Sequence, residues 1–383
     1  MLDSKRATQI LVDLVRIESI NPELVPGGSG ELEIARYVVD FLRRAGLEAR
    51  IEELGAGRAN ALGILRGRRG GPSLMLNGHL DTVGVAAMAD PFSARIEDGH
   101  LYGRGAQDMK GGLAAALAAV ETLAGNGPLG GDVIFAAVAD EEYISAGTRA
   151  LLDSGVRADA AIVMEPTGLQ IVTAHKGFAW AEIETQGRAS HGSRPEEGLD
   201  AILFMGRVLR EIERLEEELA ATPAHAKLGH GSVHASLISG GQELSSYPAA
   251  CGLSLERRLL PGEDSDTMAR ELRAIISRLS AQDPKFRASV TPGYSAPAYE
   301  TSEESCVARA LASCARRVMG REAPFGAQSF WTDAALLSAA GMPTVLFGPG
   351  GAGLHSAVEY VTLADVDVCA ATLSECAREF CGS

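Results

Sequence analysis

Four short stretches of this chain are apolar at almost every position instead of alternating. They are Leu74 to Leu76, Val133 to Ala139, Ala160 to Met164 and Thr344 to Phe347. A strand with one wet face alternates polar and apolar residues, whereas a strand covered on both faces is apolar throughout. Between them lie stretches with helical spacing. Glu31 to Ala45 places Ile34, Val38, Phe41 and Leu42 on one side and stops at Gly46, and Gly111 to Ala124 is rich in Ala and Leu. Strands of this kind separated by helices predict an α/β domain with a mostly parallel sheet covered on both sides.

The pattern changes near Ala174. Phe178 to Glu184 alternates, a charged helix follows over about 199–219, and two strand-like runs (233–238 and 253–259) precede a helix over about 265–280. This β-α-β-β-α order predicts a smaller α+β, ferredoxin-like domain over 176–288, inserted into a larger domain made of 1–175 and 289–383. The Pro-, Gly- and Ser-rich stretch from Thr291 to Ser302 reads as the return crossing.

The bulk properties exclude several classes. The formal net charge of -15 argues against nucleic acid or an anionic membrane as partner. No uncharged apolar run is long enough to span a bilayer. The first twenty residues carry charges throughout and read as an amphipathic helix with Ile10, Leu11, Leu14 and Val15 on one face, not as a secretory signal. Six cysteines occur without a C-x-x-C pair, which fits reduced structural thiols in a cytoplasmic protein.

In open α/β sheets, ligands gather at the carboxyl ends of the strands. Every one of the four apolar runs leads there into a residue that can bind a metal. His79 and Asp81 follow the first, Asp140-Glu141-Glu142 the second, Glu165 the third, and His355 the fourth after a glycine-rich loop. Asp108 lies in a further loop, Gly103 to Gly112. A single Glu in such a place can be a solvated loop residue, and a single buried His a hydrogen-bonded core residue. Convergence from four strand ends favours a mixed nitrogen and oxygen site suited to zinc, manganese or cobalt. No G-x-S-x-G elbow offers a serine nucleophile, and the glycines from Gly348 to Gly353 lack the Lys-Ser/Thr ending of a phosphate loop. Those glycines could admit a substrate to the backbone or form a plain surface loop. His225, His230 and His234 read as scattered surface histidines.

Taken together, Gly78-His79-Leu80-Asp81-Thr82-Val83, Gly103 to Gly112, Asp140-Glu141-Glu142, Glu165-Pro166-Thr167 and His355 resemble the dinuclear zinc metallopeptidase family of acetylornithine deacetylase, succinyl-diaminopimelate desuccinylase, aminoacylase and glutamate carboxypeptidase. The resemblance implies that His79 and Glu165 hold one metal ion, Glu142 and His355 the other, and Asp108 both, with a cis peptide to Met109. It makes Glu141 the general base and Asp81 the partner that orients His79. It makes the inserted domain a lid and dimerisation domain, in which His191 reaches the partner's active site and Arg258 binds substrate. Ser245 departs from the family, which often has Asn there. The implied activity is hydrolysis of an N-acyl amino acid by a homodimer carrying two divalent ions per chain, zinc with cobalt or manganese as substitutes. The alternatives are an exopeptidase acting on dipeptides or small peptides, and a metal-bearing binding protein without catalysis.

Overall fold

The four apolar runs form four neighbouring strands, in the order Val133–Val138, Leu74–His79, Ala160–Val163 and Thr344–Leu346, each parallel to the next. Every residue in them is buried. These elements come from a computed structural model, which describes residues 4–55, 57–68 and 70–382. An antiparallel hairpin, Glu48–Gly55 with Arg58–Leu65, extends the sheet beyond Val133–Val138. On the other side, Ile171–His175 pairs antiparallel with Thr344–Leu346. The parallel core sends four carboxyl ends to one edge, so ligands far apart in sequence come together there.

The chain divides into two compact units. The first comprises Met1–Thr173, Thr301–Gly326 and Thr332–Ser383, and the second Ala174–Glu300 with Ala327–Trp331. In the first, helix Ser4–Arg16 buries Ile10, Leu11, Leu14 and Val15 completely, each contributing about 1.5–3 kcal/mol. Helix Leu32–Arg44 buries Ile34, Val38, Phe41 and Leu42 and packs on the hairpin strand Arg58–Leu65. Helix Gly111–Gly125 is buried from Gly111 to Val120 and packs against Leu363–Cys381 and Ser4–Arg16. Its Ala-rich sequence suits a helix with neighbours on several sides. A Cβ at Gly112 would lie 2.0 Å from the Met164 carbonyl oxygen, so the helix start can approach the end of strand Ala160–Val163 only with glycine there.

The glycine-rich loop has the same explanation. A Cβ at Gly348 would lie 2.2 Å from the Glu165 carbonyl oxygen, and one at Gly353 1.8 Å from that of Val358. The protein's own backbone therefore requires glycine at positions 348 and 353. The loop continues into a small sheet of Gly351–Ala352, Tyr360–Thr362, His100–Tyr102 and Arg95–Glu97.

The second unit is a four-stranded antiparallel sheet in the order Ser232–Gly240, Ala250–Leu259, Gly177–Gln186, Ala288–Ala296. Helices Ala201–Ala221 and Thr267–Gln282 pack on one face. The Asp200 side chain caps the first by accepting from the Leu203 amide. Along Gly177–Gln186, Ala179, Ala181 and Ile183 are buried while Trp180, Glu182 and Glu184 are exposed. Residues 291–296, expected in a crossing, belong instead to strand Ala288–Ala296. Pro292 is tolerated because the strand lies at the sheet edge and its pairing shifts between Pro292 and Ser295. Among the described residues, no helix is long and apolar enough to cross a membrane.

Candidate metal centre

His79 is the last residue of its strand and is 1% exposed. Its Nδ1 lies 2.9 Å from the Asp81 carbonyl oxygen, so Nδ1 donates and Nε2 faces the cluster. Nε2 is 3.0 Å from Asp108 Oδ1 and 4.0 Å from both Glu165 Oε1 and Glu141 Oε2. His355 Nε2 is 3.4 Å from the other Asp108 oxygen and 3.2 Å from Glu142 Oε2. Asp108 thus stands between the two imidazoles, and the peptide joining it to Met109 is cis.

The electrostatics suit divalent cations. Burial pushes the carboxyls of Glu141 and Glu165 well above the usual range against the pull of His79, and they also repel their acidic neighbours. Burial opposes ionisation of Asp108 too, but hydrogen bonds with His355 and His79 hold it below the usual range. His355, bonded to Asp108 and Glu142, is pushed up to about 10. Glu142 Oε1 is buried without a hydrogen-bond partner among the described residues. Four carboxylates with two imidazoles form a hard, anionic donor set, and an unpaired buried oxygen within it fits an ion-binding role. The side chains fall into two metal-compatible groups, His79 with Asp108 and Glu142, and His79 with Glu141 and Glu165.

His191 and Arg258 belong to the second unit. His191 is exposed, bridges to Ser246, and has Nδ1 2.8 Å from Ser193 Oγ. Ser245 is exposed, and its carbonyl accepts from the Gly192 amide at 2.7 Å. Arg258 lies on the sheet face opposite the helices, with Nε 3.5 Å from Glu256 and Nη2 3.4 Å from the Ser329 carbonyl oxygen. Among the described residues, no metal-compatible group contains His225, His230 or His234.

The model of Peptidase family M20/M25/M40 matches residues 75–379. This chain belongs to that family. It is 32% identical to the acetylornithine deacetylase of Myxococcus xanthus, over all of this chain and 98% of the relative. Its fold matches the aminopeptidase PepT of Bacillus cereus with a TM-score of 0.81 at 19% identity, covering both chains completely. It also matches a dinuclear metal-binding peptidase of the M20 family from Bacillus subtilis with a TM-score of 0.76 at 17% identity, over 98% and 97% of the two chains. The M20 chain described here is a metal-dependent hydrolase of amide bonds.

In this M20 enzyme the carboxylate of Asp81 does something other than the expected contact with His79. It stands 3.6 Å from His79 Nδ1, whose partner is the backbone carbonyl. The carboxylate instead accepts from the amides of Glu141 at 3.1 Å and Glu142 at 3.2 Å, and from Asn21 Nδ2 at 2.8 Å. Asn21 Nδ2 also reaches Asp140 Oδ1 at 3.0 Å. Arg58 joins Asp140 at 2.8 Å to Glu31, which it meets with two nitrogens at 2.6 and 2.8 Å. This buried chain of charges fixes the turn that presents Glu141 and Glu142. Behind the helix that follows, buried Asp333 accepts from Thr148 Oγ1 at 2.6 Å, and burial pushes its carboxyl up to about 6.

Glu359 does the same for Asp108. Its carboxylate is 1% exposed and accepts from the backbone amides of Gly105 (3.2 Å), Gln107 (2.9 Å) and Asp108 (3.2 Å) while pairing with Arg104. Sequence reading missed Glu359, Asn21, Arg58, Glu31 and Asp333, and only the closeness of Glu359 to His355 could have drawn attention to one of them. Glu359→Gln puts an amide NH2 where the carboxylate now faces only N–H groups. It is expected to weaken metal affinity by about 10–100-fold, measured by titrating metal into stripped protein. Unchanged affinity with a lowered Tm would mean that Glu359 only holds the fold.

Proposed function

We propose that this M20 hydrolase removes the acyl group from an N-acyl amino acid, with two divalent ions per chain, zinc or in its place cobalt or manganese. The observation that carries the reading is the position of Asp108 between His79 and His355, with Glu165 on one side and Glu142 on the other. His79 and Glu165 are assigned to one ion, Glu142 and His355 to the second, and Asp108 to both. Bound together, the two ions would lower the pKa of a water toward neutrality. Glu141 takes the proton as the water attacks the carbonyl and passes it to the leaving nitrogen.

We assign the second unit as lid and dimerisation domain, with Arg258 gripping the substrate's carboxylate through its planar fork. His191 then serves the active site of the partner in a homodimer, donating to the carbonyl oxygen as it becomes negative. The six free cysteines suit a reducing compartment, and we place the enzyme in the cytoplasm.

The test is a hydrolysis panel of N-acetyl amino acids and dipeptides, run with zinc, cobalt or manganese, beside elemental analysis. Close to two ions per chain, loss of activity in chelator and recovery with zinc are expected. Full activity in chelator on metal-free protein would overturn the mechanism. Faster cleavage of dipeptides than of N-acetyl amino acids would make the enzyme an exopeptidase.

A further inference from the structure

The chain contains only two tryptophans, and both stand in one aromatic cluster on the second unit. The ring of Phe178 lies 5.2 Å from that of Trp180, 5.8 Å from that of Tyr294 and 6.2 Å, edge to face, from that of Trp331. Phe178 and Trp180 share a face of strand Gly177–Gln186, directly across from Arg258 and Glu256 on strand Ala250–Leu259. This face is opposite the helices, and Trp180 remains 39% exposed on it. Past Trp180 a cavity of about 390 Å³ continues along the face, walled by Glu182, Ser236, Ser254, Leu255, Thr291 and Pro292. Large rings held at an open surface beside small residues leave room for another apolar group.

The charge at this end of the cluster identifies the ligand. The Arg258 guanidinium sits 5.7 Å from the Phe178 ring centre. Its contacts to Glu256 and Ser329, at 3.5 and 3.4 Å, are long for hydrogen bonds, so it keeps donors to give to a carboxylate. A carboxylate seated there brings the substituent of its own carbon against Phe178 and Trp180.

We propose that Phe178, Trp180, Tyr294 and Trp331 form, with Arg258, a subsite for an amino acid whose side chain is aromatic or otherwise bulky and apolar. This rests on the reading above that Arg258 takes the substrate's carboxylate. It makes Phe178 and Trp180 specificity-determining residues and N-acylated aromatic amino acids the substrate class.

Two measurements test it. In the first, the metal-loaded enzyme is assayed on N-acetylphenylalanine, N-acetylalanine and N-acetylornithine. A preference for N-acetylphenylalanine of at least about tenfold is expected. Phe178→Ala should lower kcat/KM for N-acetylphenylalanine at least about tenfold more than that for N-acetylalanine. Preference for N-acetylornithine, or equal losses on all three substrates, overturns the proposal. In the second, metal-loaded Glu141→Gln protein, in which turnover is slowed, is titrated while its tryptophan fluorescence is followed. Because both tryptophans lie in the cluster, N-acetylphenylalanine should give a saturable change that Phe178→Ala weakens. No change in emission overturns the subsite. If no N-acyl amino acid is hydrolysed, the deacylase reading falls, and the titration alone then decides the subsite.

Discussion

Glu141→Gln is expected to slow hydrolysis by about 10²–10⁴-fold and to leave metal content unchanged. Gln has nearly the same size but cannot take a proton. The Glu141 side chain is 10% exposed and lies 4.0 Å from His79 Nε2, while Asp108 lies at 3.0 Å. Its backbone amide is held by Asp81 whatever its side chain is, so the turn should keep its shape. Glu142→Gln makes the contrast, because Glu142 touches His355 at 3.2 Å and carries the unpaired buried oxygen. That variant is expected to lose metal. Elemental analysis of both proteins checks the assignment, and loss of metal from the Glu141 variant alone would reverse the two roles.

His191→Ala is expected to cost about 10²–10³-fold, the effect of removing one donor from a developing oxyanion. The side chain is exposed and its Nδ1 meets only the nearby Ser193, so its removal should leave the fold intact. The decisive experiment mixes this variant with Glu141→Gln. If His191 acts in the partner's active site, a heterodimer contains one site in which Glu141 and His191 are both present, and activity returns. Within a single chain, no combination of the two variants restores a complete site. Subunit exchange is followed with differently tagged chains, and exchange without recovered activity would remove His191 from the partner's site.

Much of this architecture was legible in the chain itself. The unbroken apolar character of Leu74 to Leu76, Val133 to Ala139, Ala160 to Met164 and Thr344 to Phe347 determined four strands buried on both faces. Their lack of alternation also determined that they lie parallel at the centre of a sheet. Once they are parallel, the placement of His79, Glu141, Glu142, Glu165 and His355 after them determines that these residues share one edge. Such signals survive in sequence because every residue of an element repeats them.

Tertiary structure decided the rest. It set the Asp81 carboxylate on the amides of Glu141 and Glu142, 60 and 61 positions along the chain, and left it 3.6 Å from His79 Nδ1. It brought Glu359 to the Asp108 loop, 251 positions away from the Asp108 amide it accepts from. It made an edge strand of residues 288–296 despite Pro292, and it gathered Phe178, Trp180, Tyr294 and Trp331 beside Arg258. A hydrogen bond or ring contact between distant residues involves one group at each end and leaves no periodic trace in either neighbourhood. Only the path of the backbone determines which of many buried acids meets which amide.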